Sequence, residues 1–382
     1  MYKAERVLFD LLRGRAVWIM TPGADAATPG TVGEGSVLVA AVEGLSDGRL
    51  RELRGLSGSL RLALTSHRAR AMGLPLTGDE ATGMSFLINA DATEADIFRL
   101  STAAGDYAAV TLGLEVATPC EAGGLSLARA GRVLPAIMSV TLHGDDVETV
   151  GRWANDGTVL SVTTDEIEGM TSRERLEVTH VSDGPVPLVD AEDARFMSFR
   201  GANGILEHVA VLVGPREEWP DPLPVRIHSA CLTGDLFGSL RCDCGEQLRG
   251  ALRVFQARGG GVLLYLDQEG RGIGFGNKLR AYTLQDEGLD TMDADCTLGF
   301  GADERRYDSA VAMLHHLEID RIQLLTNNPE KIRAVRTGGI QVVDRQPLYG
   351  TLNRHNRRYV RAKVQRAGHW LGDMLSGAVS GK

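Results

Sequence analysis

Three of the chain's five cysteines fall inside one short segment, CLTGDLFGSLRCDC at residues 231–244, and nothing else in the sequence constrains the fold as strongly. Cys242 and Cys244 stand one residue apart, too close for a relaxed disulfide between them. Both can reach one metal ion, and Cys231 can return across a glycine-containing turn to complete the set. Three thiolates suit zinc, which is soft enough to prefer sulfur. Three protein ligands leave a fourth position for water, the pattern of a catalytic zinc rather than a structural one. The plainer alternative is three small buried residues, because free cysteine packs as a hydrophobe. The clustering of three thiols in so short a segment argues against it.

The rest of the chain reads as two domains. With 382 residues there is length enough for both, and 43% hydrophobic with 24% charged residues is the balance of a globular protein. No run of about 20 apolar residues suggests a membrane span. The first segment, MYKAERVLFDLLRGR, reads as an amphipathic helix rather than a secretory signal. An odd cysteine count, clustered, favours metal over disulfides and a reducing cytoplasm. A net charge of −9 gives no general reason to bind nucleic acid, and none is expected as a partner. The basic stretch NRHNRRYVRAKVQR at 353–366 reads as a solvated helix face, a subunit contact or an aid to capturing a polyanion.

Domain one is placed at 1–174 and domain two at 175–382. The first alternates helix and strand signals, beginning with Val7, Leu8, Leu11 and Leu12 on one helical stripe and strands at 16–20 and 36–42. In the second, FMSFRG, HVAVLVG, VRIHSA, GGVLLYL and IQLLT read as strands. Helical stripes run through Leu248, Ala251, Leu252 and Phe255 and through Tyr307, Ala310, Val311 and Leu314. Asn328-Pro329 starts a further helix. The order predicts an α/β (α+β) fold in two domains, with a mixed sheet and helices in the second.

The segment RIHSACLTGDLFGSLRCDCG at 226–245 resembles the zinc signature of GTP cyclohydrolase II. The resemblance continues in the family's order through QEGRGIG (268–274), NKLRAYTLQDEGLDT (277–291), LGFGADER (298–305) and LLTNNPEK (324–331). It implies a homodimeric enzyme that opens the imidazole ring of GTP, releases formate and pyrophosphate, and feeds riboflavin synthesis. It also implies one zinc per subunit on Cys231, Cys242 and Cys244, activating the attacking water, and magnesium with the triphosphate. By the same resemblance Arg226, His228, Gln247, Glu269, Gly270, Arg271, Thr291, Thr326 and Lys331 contact the nucleotide. His228 reads equally as a partner behind the ligands or as a packed strand histidine. Asp303 is the implied proton acceptor and Arg305 the implied nucleophile at the α-phosphate. A guanidinium has no free lone pair at neutral pH, so stabilising charge on the phosphoryl group is the simpler role for Arg305. Tyr282 falls where relatives with Tyr complete deformylation and some with Met stop at a formamide, so formate release is expected. The best-known members carry Glu where this chain has Ala230.

The first domain resembles, more weakly, 3,4-dihydroxy-2-butanone-4-phosphate synthase. That family places an acidic, arginine-containing loop after the first strand; here the stretch is MTPGADAATPGTVGEG, with only Asp25 and Glu34 as acids. The family's histidine segments are missing too, as EAGGLSLARAGRVLPA holds no histidine. Enolising a sugar phosphate needs metal-binding carboxylates and a placed acid or base, so this domain is expected to be silent in that reaction. Cys120 reads as a core residue and Cys296 as structural. Three other readings stay open: a non-catalytic nucleotide-binding regulator, an enzyme retaining the sugar-phosphate activity, and an opener of a related purine nucleotide.

Overall fold

The computed structural model describes residues 2–24, 35–76, 83–105, 107, 112–173, 177–201 and 204–376. Asp25, Glu34 and Glu174 lie outside the described residues. The chain forms two compact units, Met1–Ser172 with Gly276–Glu304, and Arg173–Phe275 with Arg305–Lys382. Two contiguous domains meeting at 174/175 were expected; instead the segment 276–304 belongs with the first unit.

The first unit carries a seven-stranded sheet among the described residues. Its strands are β1 (Val17–Met20), β2 (Val37–Ala41), β3 (Leu60–Leu64), β4 (Met84–Leu87), β5 (Leu112–Val116), β6 (Ala136–Thr141) and β7 (Leu160–Thr163), in the order β5-β4-β3-β6-β2-β1-β7. Every residue of β1 and β2 is buried, as unbroken apolar runs such as VWIM and VLVAA require. The helix Pro119–Ala130 opens with Pro at its start and a capping box, the Thr118 side chain accepting from Glu121 N–H while the Glu121 carboxylate accepts from Thr118 N–H.

Polar side chains bind 276–304 to this unit. Thr65 Oγ1 donates to Gly299 O at 2.6 Å, Asn277 Nδ2 to Arg132 O at 2.9 Å, and Arg280 pairs with Glu43 at 2.7 Å. Arg68, 1% exposed, donates to Leu100 O, Ala103 O and Thr297 O at 2.6–3.1 Å. Burial pushes its guanidinium down to about 10, with Tyr107 opposing. Replacing Arg68 by Met strands three carbonyls, one at a buried contact and two at part-buried ones. The expected loss is about 3 kcal/mol by urea unfolding, since each unsatisfied buried acceptor costs roughly 1–3 kcal/mol. A loss under about 1 kcal/mol would contradict this bracing role.

The second unit has its own seven-stranded sheet, again among the described residues. Its strands are β8 (Val178–Pro185), β9 (Arg195–Gly201), β10 (Glu207–Val213), β11 (Leu223–Ser229), β12 (Gly261–Leu266), β13 (Arg321–Leu325) and β14 (Gln341–Gln346), in the order β14-β13-β11-β12-β10-β9-β8. The first four in that order run parallel and the last three antiparallel to their neighbours. Val262, Leu264 and Leu266 of β12 share a core with helices Asp308–His316 and Pro329–Thr337. Leu263 turns to the opposite face, where helix Cys244–Ala257 buries Ala251, Leu252 and Phe255. Helices on both faces leave the carboxyl ends of β11, β12 and β13 as the place where loops can gather polar groups. No helix among the described residues is long and apolar enough to cross a membrane.

Candidate metal centre

Directly after β11 the chain reaches Cys231, which opens the short helix Leu232–Asp235. Cys244 is the first residue of helix Cys244–Ala257, and Cys242 stands just before it. The three sulfur atoms lie within 4.8 Å of one another, with Cys231 Sγ and Cys242 Sγ 3.7 Å apart. Tetrahedral zinc with Zn–S near about 2.3 Å sets sulfurs about 3.8 Å apart, so the cluster fits that ion. Gly234 makes the approach possible. A Cβ there would stand 2.6 Å from Cys242 Sγ and 3.1 Å from Cys231 Sγ. The thiols hinder one another's ionisation: the hydrogen bond with Cys231 leads in pushing Cys242 up to about 11, and Cys244 is raised as well. A divalent ion reverses that preference, because ligation requires thiolates.

Asp235 fixes this loop, and the sequence reading passed over it. Its carboxylate accepts from Cys231 N–H at 2.9 Å and from Tyr265 Oη–H at 2.9 Å. His228 Nε2 lies 3.2 Å from both carboxylate oxygens. The His228 ring, 2% exposed, stacks on Tyr265 at 5.6 Å. Burial lowers its pKa against the pull of Asp235. His228 therefore meets the metal loop through Asp235. A short acid in a glycine-rich loop gives no periodic signal, which is why spacing did not find it.

Arg226 lies deeper on the same strand. Its guanidinium donates to Leu325 O at 2.9 Å and to Gln247 Oε1 at 2.7 Å, and Gln247 Nε2 donates to Asp243 Oδ2 at 2.6 Å. Asp243 sits between two of the thiols in sequence and is 1% exposed. Arg226 Nε and Gln268 Oε1 are buried with no hydrogen-bond partner among the described residues. Buried polar groups left unmatched at strand ends are what a polar ligand satisfies.

The loop after β12 takes a strained path, with Gly270 at φ 64° and Arg271 at φ 63°. Arg271 is a non-glycine residue in the left-handed region, which costs about 1–3 kcal/mol and persists only where its surroundings impose it. Glu269 imposes part of it: its oxygens accept from Gly270 N–H at 2.9 Å and from Leu232 N–H at 2.5 Å. After β13, Thr326 Oγ1 accepts from Asn328 N–H at 3.0 Å, and Asn328 caps helix Pro329–Thr337. Lys331, on that helix's first turn, donates from Nζ to Ile227 O at 2.7 Å and lies over the Tyr307 ring.

The second unit thus holds the three thiols with Arg226, His228, Gln247, Glu269, Gly270, Arg271, Arg305, Thr326 and Lys331. Tyr282, Thr291 and Asp303 fall in the first unit, and the division passes between Glu304 and Arg305. Lys278 Nζ stands over the Tyr282 ring at 5.7 Å. Thr291 opens helix Thr291–Thr297, which Asp290 caps. Asp303 is exposed and Arg305 half-buried. Of the other cysteines, Cys120 is fully buried, and burial pushes its thiol up to about 11.

An α/β unit gathering three thiols, a buried arginine and a buried lysine at parallel strand ends has the make-up of a metal-dependent enzyme acting on an anionic substrate. A family model for GTP cyclohydrolase II matches residues 179–347. A GTP cyclohydrolase-2 from Azospirillum brasilense is 39% identical over 372 residues, 97% of this chain and 94% of the relative. One from Xylella fastidiosa (strain 9a5c) is 47% identical over 257 residues, 66% of this chain; the match spans 62% of that relative's length, under two thirds. A solved two-domain 3,4-dihydroxy-2-butanone 4-phosphate synthase from A. baumannii is 15% identical, and the match covers 91% of this chain and 99% of that one at a TM-score of 0.34. The chain belongs to the GTP cyclohydrolase II family.

Proposed function

We propose that this protein hydrolyses GTP to 2,5-diamino-6-(5-phosphoribosylamino)pyrimidin-4-one, releasing formate and pyrophosphate, as the first step of riboflavin biosynthesis. The observation that carries the reading is the convergence of Cys231, Cys242 and Cys244 to within 4.8 Å in a chain of this family. Cys231, Cys242 and Cys244 would hold a zinc ion, whose chemistry there would be to lower the pKa of the attacking water to about 7. Arg226 and Lys331 bring fixed positive charge to the strand ends. Arg271 offers a planar fork for phosphate oxygens, and Thr326 and Gln247 add neutral polar contacts. By family resemblance Asp303 accepts a proton and Arg305 stabilises charge on the α-phosphate, while Thr291, Glu269, Gly270 and His228 complete the nucleotide contacts directly or through their neighbours. Magnesium accompanies the triphosphate. The working form is a cytoplasmic homodimer.

The first unit is proposed to be silent in sugar-phosphate chemistry. Glu121, an acid in the stretch where that family carries histidine, has its oxygens taken by Thr118 N–H at 2.8 Å and Ser139 Oγ–H at 2.6 Å. The test incubates GTP and magnesium with zinc-loaded protein, with mass spectrometry of the product and parallel assays for formate and pyrophosphate. Expected are the diaminopyrimidinone and both small products. A formamide without formate would refute the role given to Tyr282. Intact GTP would refute the activity.

A further inference from the structure

The family match ends at residue 347, yet the chain beyond it is tied to the metal loop. Thr351 N–H donates to Glu246, in the first turn of the helix that Cys244 opens. Asn356, 0% exposed, holds the next turn by donating from Nδ2 to Thr351 O at 2.8 Å and accepting from Asn353 N–H at 2.8 Å. Helix Arg357–Gln365 follows and buries Val360 against Leu371 and Met374. From this helix Lys363 Nζ reaches Asp243 Oδ1 at 3.3 Å, with side-chain exposures of 17% and 0%. The ammonium lies 4.2 Å from the centre of the Tyr359 ring. Farther on, Trp370 N–H donates to Asn327 O at 3.0 Å, next to Thr326, and Arg345 packs over the Trp370 ring at 4.8 Å.

We propose that residues 351–375 are a strap that positions the metal loop, and that Lys363 is the positioning residue through which it acts. Lys363 holds Asp243 between the two neighbouring thiols. Asp243 accepts from Gln247, and Gln247 accepts from Arg226, so one buried chain runs from the strap to the candidate nucleotide contacts. The charges fit a fixed pair. The Asp243 carboxylate is fully buried and the Lys363 ammonium faces it at 3.3 Å. The Arg357, Arg358 and Arg361 side chains of the same helix face solvent, so Lys363 is singled out by its direction, not by its charge.

This inference rests on the reading that the three cysteines hold zinc. Its test measures zinc affinity by competition with a chromophoric chelator, and the thiolate bands of the cobalt-substituted protein, in wild type, Lys363→Met, Asp243→Asn and the double variant. If Lys363 positions the loop, its loss leaves Asp243 buried without its ion-pair partner and the thiols displaced. Zinc affinity then falls about 10- to 100-fold, as for other groups supporting metal ligands, and the cobalt bands shift. The double variant, with a neutral amide facing a neutral side chain, recovers most of the affinity and the wild-type spectrum. If Lys363 were only a nearby charge, its removal would tighten binding of a cation, so unchanged or tighter zinc binding by Lys363→Met overturns the proposal. So does a double variant no better than Lys363→Met, which would mean general damage to the fold. Wild type that binds no zinc would refute the metal reading itself.

Discussion

Replacing Cys242 by Ser is expected to abolish tight zinc binding and to lower GTP turnover on the order of 10³-fold or more. The loss corresponds to several kcal/mol of transition-state stabilisation, the usual contribution of a catalytic metal. Cys231 and Cys244 remain, but two thiols hold a divalent ion much less firmly than three. The fold should survive. Cys242 is only partly buried, and the cores of the second unit rest on β10–β13 and the helices packed against them. Metal content per chain, turnover and far-ultraviolet circular dichroism on one preparation check all three points. Full zinc occupancy in the variant would show that the ion sits elsewhere.

Gly234→Ala adds a single methyl and is expected to weaken zinc binding about 10- to 100-fold, as loss of ligand geometry does elsewhere. Gly234 has no left-handed φ, so its backbone accepts alanine without strain. The added carbon has nowhere to go. It meets Cys242 Sγ at 2.6 Å, Cys231 Sγ at 3.1 Å and Cys244 Cβ at 3.1 Å. To relieve the first contact, either the helix Leu232–Asp235 withdraws or the sulfurs part, and both spoil a tetrahedral set. Competition with a chromophoric chelator reads the effect directly. Wild-type affinity in this variant would mean that the thiols do not close around an ion as tightly as their spacing indicates.

The thiol cluster was legible because its spacing is local. Cys242 and Cys244 are neighbours in sequence, and a glycine-bearing loop brings Cys231 back to them. Strand runs such as GVLLYL and helical stripes such as Leu248, Ala251, Leu252 and Phe255 were legible for the same reason, since each pattern lies within one element. Three features were not. Segment 276–304 joins the first unit through Arg68, Thr65 and Asn277, long-range contacts that no periodicity encodes. Asp235 and Asp243 stand as isolated acids in the loop between the cysteines, and only the fold turns one onto His228 and Tyr265 and the other onto Gln247 and Lys363. The basic stretch 353–366 presents its arginines outward as a solvated helix face does, but charge counting could not reveal that Lys363 points inward.

The most direct test strips the protein of metal and adds zinc back stepwise while formate release from GTP is followed in magnesium buffer. Turnover should rise in proportion to zinc, reach a plateau at about one ion per chain as the three-thiol set requires, and disappear again with a chelator. Full turnover in the metal-free protein, or a rise that ignores the count of one ion per chain, would contradict the claim that Cys231, Cys242 and Cys244 build the catalytic centre.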